Sequence, residues 1–315
     1  METVSTYIRT SRYDPTHTLA LRNAFAKNMN SRFDELSVVV TKSVKINDCF
    51  GLRKPELVFH QMTPSLPEAF NFSRSSQKVD AFMSWLDSQV KKGILSINMY
   101  EQVGQSINSA WTNMYIEDSY KRGISRARYE MQALGLSVPS LDSTGGINGA
   151  LNNSFHIDRL GLLFTRVFSD LKGITANMDS IISRILAQGI ADGDGPALLA
   201  RKLVSAINGS GAGDLGITDT VGRFIPAKRR AMMLARTEII RAHHLANIQE
   251  YRNWGLLNII VKAEFTTAGD DRVCSKCASL DGKIFTLDEI ENMIPMHTDC
   301  RCIALPWVEE LVKYY

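Results

Sequence analysis

The sequence predicts a mainly α-helical protein closed by a small C-terminal α+β module, in which long helices are followed by a short antiparallel sheet pinned by a Cys/His metal site. Three observations carry that expectation. Apolar residues recur at intervals of three and four through most of the chain up to Trp254. After Gly255 this spacing gives way to a run rich in Ile, Val and Phe. Four of the five cysteines then fall between Cys274 and Cys302, with His297 among them.

The helices can be placed one by one. Residues 16–36 set Leu21, Phe25, Met29 and Phe33 on one face with basic residues between them, as in an amphipathic helix. A polar, Pro-containing stretch from Asn47 to Pro67 follows. Ser73 or Ser75 is then positioned to cap a second helix, which runs to about Lys92 with Val79, Phe82, Leu86 and Val90 inward and ends at Gly93. From Asn98 to Leu134 the positions Val103, Ile107, Ala110 and Met114 predict one long helix, stopped by Gly135. Residues 137–154 mix Pro, paired Gly, Ser and Asn without periodicity, which marks a linker.

Between His156 and Gly189 the apolar residues Leu160, Phe164, Val167, Leu171, Ile174, Met178, Ile181 and Ile185 form a heptad-like seam. Such a seam serves either a coiled coil between chains or one long helix lying along its neighbours. The second is preferred, because flanking charges are sparse. Asp194, Gly195 and Pro196 start a short helix over Ala197–Ile207, and the NGSGAG stretch beginning at Asn208 reads as a flexible loop. Pro226 to Trp254 forms another long helix, ended by Gly255. Strands are expected at Leu256–Thr266 and Lys283–Thr286, with Asp281 and Gly282 supplying turn chemistry. The domains are accordingly 1–136, a linker 137–154, a module 155–308 (helices 155–254, metal-pinned sheet 255–308) and a tail 309–315.

Composition narrows the function classes. Of 315 residues, 44% are apolar and 22% charged, the balance of a chain that buries a core. No apolar run approaches the roughly 20 residues that cross a bilayer, so no membrane association is expected. Met1–Pro15 lacks the apolar stretch of a secretory signal, which points to synthesis in a cytoplasm. A net charge of +3, with both signs interleaved, does not by itself draw the chain to nucleic acid.

The cysteines carry the sharpest signal. Cys274 and Cys277 form a C-x-x-C pair, 19 residues intervene, and His297, Cys300 and Cys302 follow as H-x-x-C-x-C. Zinc takes thiolate and imidazole ligands in fours, and a two-residue gap lets both members of a pair reach one ion. Spacing alone leaves open which of His297, Cys300 and Cys302 stays outside the shell. A shell filled by protein leaves no position for a reactive water, which argues for a structural ion. A disulfide and plain buried thiols are the competing readings. Zinc deaminase chemistry fits poorly, because C-x-x-C precedes the histidine and Asp299 stands where the catalytic Glu would be. No HExxH, phosphate-binding loop or GxSxG elbow is present. Lone Cys49, beside Phe50, reads as a core thiol.

Other residues invite weaker readings. Glu238 and Arg241 are at contact spacing on a helix and are expected to form an internal ion pair, rather than catalytic groups. Adjacent His243 and His244 point in different directions and make a poor joint metal site. Lys228, Arg229 and Arg230, and the basic run Lys121–Arg128, are candidate phosphate contacts, although a solvated helix face explains them as well. Trp85, Trp111, Trp254 and Trp307 read as packing anchors.

The segment ARTEIIRAHHLAN, then GDDRVCSKCASLDGKIF, then PMHTDCRCIALP resembles the phage head morphogenesis family of the Mu F type, which also takes in the SPP1 minor head protein. The matching positions are Ala235 to Glu238, Arg241, Asn247, Asp271, Cys274, Cys277, Leu280, Asp281, Gly282, His297, Cys300, Arg301, Cys302 and Pro306. LKGITANMDSIISRILAQGIADGDGPALLARKL resembles the helical part preceding that module. DPTHTLALRNAFAKNMNSRF and the pattern beginning at Trp111 resemble the N-terminal halves of some minor head proteins more loosely.

The resemblance implies a non-enzymatic, low-copy virion protein in the capsid interior near the portal, taken up during procapsid assembly and sometimes linked to DNA ejection. Implied partners are the portal protein, major capsid or scaffolding protein, and packaged double-stranded DNA without sequence preference. Residues 1–136 would dock on portal or capsid. The alternatives are a phage-delivered enzyme or effector such as a nuclease, for which a sequence ending at Tyr315 leaves little room, and a non-specific DNA-binding zinc protein.

Overall fold

The computed structural model describes residues 14–53, 75–102, 105–208, 225–255 and 261–308. It is predominantly helical. In chain order these are α1 (Leu19–Thr41), α2 (Ser75–Lys92), β1 (Ile97–Gln102), β2 (Gln105–Ala110), α3 (Asn113–Ala133), α4 (Gly146–Leu151), α5 (Ser154–Ala191), α6 (Pro196–Asn208) and α7 (Ala227–Gly255). The C-terminal part adds β3 (Val261–Thr266), α8 (Ser275–Ala278), β4 (Ile284–Thr286), α9 (Leu287–Glu291) and β5 (Ile303–Val308).

Helix α1 buries Phe25, Met29 and Phe33, the stripe its spacing predicts. Asp14 organises its start by accepting from the Leu19 amide at 2.6 Å, from Thr16 at 2.9 Å and from Arg22 at 2.7 Å. The helix runs on into a π-helical turn, Lys42–Ile46. Helix α2 covers the expected residues with Phe82, Leu86 and Val90 buried.

The expectation of one helix from Asn98 to Leu134 is wrong over its first third. β1 and β2 pair antiparallel there, from Ile97 opposite Ala110 to Gln102 opposite Gln105. Helix α3 begins only at Asn113, and Met114, expected inward, is 59% exposed. Residues 137–154 are also more ordered than a linker. They carry a 3-10 turn at Asp142–Thr144 and helix α4, while Leu136 and Val138 join the buried core of the C-terminal module. On α5, Leu160, Val167, Leu171, Met178 and Ile181 are buried within the chain, as a helix lying along its own neighbours requires.

The sheet has the order β4-β3-β5, antiparallel throughout. Strand β5 had no counterpart among the expected strands. It lies at an edge and so accommodates Pro306, which cannot donate to a ladder. The expected turn residues act as predicted: Gly282 has φ +77°, its amide donates to the Phe265 carbonyl at 2.8 Å, and Asp281 accepts from the Thr267 amide at 2.8 Å. Expected features at Ser73, at 209–213 in the NGSGAG loop, at 256–260 in the first strand and at 309–315 in the tail lie outside the described residues.

Contacts divide the chain into two units, each assembled from separate segments. The first comprises Met1–Phe25, Thr112–Val167 and Met233–Tyr315; the second comprises Ala26–Trp111 and Phe168–Met232. Residues 112–154 thus group with the C-terminal module and do not stand apart from it. The core of the first unit gathers Ala127 and Met131 from α3, Leu136 and Val138, Ile240, Ile248 and Tyr251 from α7, and Ala263, Phe265, Cys277, Ile290, Cys300 and Ala304 from the module. In the second unit Trp111 is buried, donates from Nε1 to the Ile94 carbonyl at 2.8 Å and stacks under Arg32, whose guanidinium lies 4.0 Å from its ring.

Candidate metal centre

The five clustered donors come from two short segments. Cys274 caps α8: its backbone is extended and its Sγ accepts from the Cys277 amide at 3.4 Å. That turn brings Cys277 beneath it, into the core. The second segment starts at exposed His297 and folds back through Asp299, whose φ of +58° is the left-handed geometry an Asp tolerates. The Cys300 amide bonds the His297 carbonyl at 3.2 Å, and Cys300 and Cys302 are both buried.

Two triads of donor atoms result. Cys274, Cys277 and His297 form one, and Cys277, Cys300 and Cys302 the other, each with its ligand atoms within 4.8 Å of one another. Cys277 is common to both. His297 Nε2 lies 3.3 Å from Cys274 Sγ and 3.4 Å from Cys277 Sγ. A tetrahedral zinc holding one sulfur and one nitrogen would set them about 3.5 Å apart, so this half is spaced as a metal ion needs. The Nδ1 of His297 is 2.7 Å from the Thr298 carbonyl, an acceptor that keeps the proton on Nδ1 and leaves the Nε2 lone pair facing the thiols. All five cysteines of the chain are free, so the disulfide reading finds no support here.

The electrostatics favour a cation in the cluster. A hydrogen bond from Cys302 holds Cys300 down at about 5, and the same contact, with burial, drives Cys302 far up. Burial and the neighbouring thiols raise Cys277 to about 12. Cys274 is lowered by the Cys277 amide. Burial opposes the charged form of His297, but its bond to Thr298 and the adjacent thiols outweigh it and raise its pKa. One thiolate therefore forms readily and suppresses the next. A divalent ion removes that conflict, since thiolates are the form that binds it.

The remaining sequence-selected residues sit elsewhere. Glu238 is buried, with Arg241 Nε 3.1 Å from one oxygen and Arg166 Nε 3.4 Å from the other. Lys228 Nζ is 2.6 Å from Asp34, Arg230 donates to Asn177 at 2.9 Å, and Arg229 alone of the three is exposed. In the run Lys121–Arg128, Lys121 pairs with Glu117, Arg122 with Asp118, Arg126 with Glu130 and Arg128 with Glu250. Arg126 and Arg128 are thus neutralised in largely buried pairs, and Lys121 and Arg122 in pairs that reach the surface. Buried His244 shares its Nε2 between the Ile290 and Glu291 carbonyls, both at 3.1 Å, and lies in neither donor triad. Cys49 is buried, and desolvation pushes its thiol to about 12, which makes it inert.

Sequence reasoning missed two arrangements. Glu250, buried, accepts from Arg128 Nε at 2.7 Å, Trp254 Nε1 at 3.0 Å and His156 Nε2 at 2.8 Å, while His156 Nδ1 faces the Tyr120 hydroxyl at 2.9 Å. Nothing local in the sequence links residues this far apart. Asp270 is the other: Arg301, between two of the cysteines, forks onto its carboxylate.

Residues 180–305 match the family model described as phage Mu protein F like protein. No curated protein and no solved structure matches the chain.

Proposed function

We propose, from the match of residues 180–305 to the phage Mu protein F-like family model, that this chain is a minor head protein of a tailed bacteriophage. In this reading it resides in the capsid interior next to the portal and is taken up while procapsids assemble in the host cytoplasm. It contacts portal and capsid or scaffolding protein, and acts in procapsid assembly and in DNA packaging or ejection. The family match carries the phage-head assignment. The donor cluster supports a structural zinc ion, with Cys274, Cys277, His297, Cys300 and Cys302 as its candidate ligands.

Bound there, zinc supplies cross-linking rather than catalysis. Its ligands would tie α8 to the segment preceding β5 across a three-stranded sheet too small to be stable on its own core. Four protein ligands would leave no tetrahedral position open for water, so an ion held in this way would be structural. Non-specific DNA contact is a secondary property at most, because Lys228 and Arg230 already face protein partners.

Zinc content per chain, measured by elemental mass spectrometry on wild type, Cys274→Ser and Cys300→Ser, tests the ion. About one zinc in the wild type and its loss in Cys274→Ser, together with a lower melting temperature, is expected. Metal-free wild type of equal stability would remove the zinc claim. Co-purification with portal protein from procapsids tests the location, and particles lacking the chain at the portal would overturn it. DNA binding that falls steeply with salt would promote the nucleic-acid reading.

A further inference from the structure

We propose that Asp270 and Arg301 are positioning residues of the metal centre, an ion-paired clamp that sets the spacing between the two halves of its ligand set. The inference rests on the zinc reading above and adds to it a determinant outside the five donors.

The clamp is a fork. Arg301 donates to Asp270 through two nitrogens, at 2.7 Å to Oδ2 and 2.5 Å to Oδ1. Bidentate guanidinium–carboxylate pairs fix orientation as well as distance, which a lysine would not do. The pair is sheltered, with side-chain exposures of 13% for Arg301 and 9% for Asp270. Shelter separates it from the solvent-screened surface pairs that contribute little.

Its position in the chain gives it leverage. Asp270 begins the turn that delivers Cys274: its carbonyl accepts from the Val273 amide at 3.1 Å and its Oδ1 from the Arg272 amide at 3.2 Å. Arg301 stands between Cys300 and Cys302. The fork therefore joins the two ligand segments at points four residues and one residue from their nearest cysteines. Arg301 also places a positive charge beside a cluster whose thiolates would outweigh the charge of the ion they bind. Outer partners of this kind are what hold ligand spacing, and losing one costs roughly 10- to 100-fold in metal affinity.

Cobalt(II) and zinc titrations of the full chain test the clamp, using Asp270→Asn, Arg301→Lys and the charge-exchanged pair Asp270→Arg with Arg301→Asp. Thr286→Ala serves as comparator, since it loosens the cap of α9 without touching a donor. The single variants are expected to bind cobalt about 10- to 100-fold more weakly while reaching the same thiolate-to-cobalt absorption at saturation, with partial recovery in the exchanged pair. Binding equal to wild type in both single variants would overturn the clamp. So would a weakening that merely tracks melting temperature and is matched by Thr286→Ala. A wild type that takes up no metal would instead sink the zinc reading itself.

Discussion

Gly123 sits where α3 meets α7, and a Cβ there would come within 2.5 Å of the His243 carbonyl and 2.6 Å of Ala246 Cβ. Helix propensity alone favours Ala over Gly by roughly 1 kcal/mol. The backbone carbonyl cannot retreat as a flexible side chain could, so the clash should win and Gly123→Ala should destabilise by about 1–3 kcal/mol. Gly173, within α5, has no neighbouring atom within 4 Å, and Gly173→Ala should stabilise by about 0.5–1 kcal/mol. Urea unfolding of both variants checks the pair, and equal signs would contradict it. Sequence offers no means of telling these glycines apart, since the difference lies in what faces them across space. The cysteines were legible for the opposite reason: C-x-x-C and H-x-x-C place their donors by local geometry. Asp270 was not, because only the fold shows that Arg301 selects it over its neighbour Asp271.

Helix α9 is short and is fixed at both ends by different means. Thr286 and Glu289 form a capping box at its start, with the Thr286 amide 2.9 Å from Glu289 Oε2. At its end the carbonyls of Ile290 and Glu291 share the Nε2 proton of His244. Burial lowers the His244 pKa to about 4, against an ordinary value of 6.5. The ring is therefore neutral when folded, while the unfolded chain takes up a proton as pH falls below about 6.5. Stability present above that pH is lost on acidification towards 4, amounting to about 2 kcal/mol by pH 5. Denaturant unfolding at pH 7 and pH 5 should show this loss in the wild type and less of it in His244→Gln; equal slopes would refute the assignment. Element types were legible wherever the period was long, as in α1, α2, α5 and α7. The β1–β2 hairpin was misread because Val103, Ile107 and Ala110 happen to keep helical spacing, and strand pairing between Ile97 and Ala110 is a non-local choice that a single periodic window does not register.

At the scale of the whole molecule, the sequence suggested that residues 155–308 would stand as a domain behind a linker, whereas the module's core is completed from earlier in the chain. Ala127 and Met131 of α3, with Leu136 and Val138, pack with Tyr251, Phe265 and Ala304. Arg128 supplies one of the charge-assisted bonds that hold buried Glu250 ionised. A fragment beginning at residue 155 loses these four apolar side chains and leaves Glu250 without its guanidinium, a change costing about 3–5 kcal/mol when one partner of a buried pair is removed. That is a large share of the roughly 5–15 kcal/mol by which a typical domain is stable. The fragment 155–308 should therefore be aggregation-prone or lack a cooperative melt even with zinc supplied, whereas the full chain, which keeps both units entire, should melt cooperatively and hold the ion. Calorimetry of the fragment and of the full chain decides the matter. A cooperative, zinc-dependent transition in 155–308 alone would mean that α3 is an accessory, and that the metal rather than the shared core holds the module together.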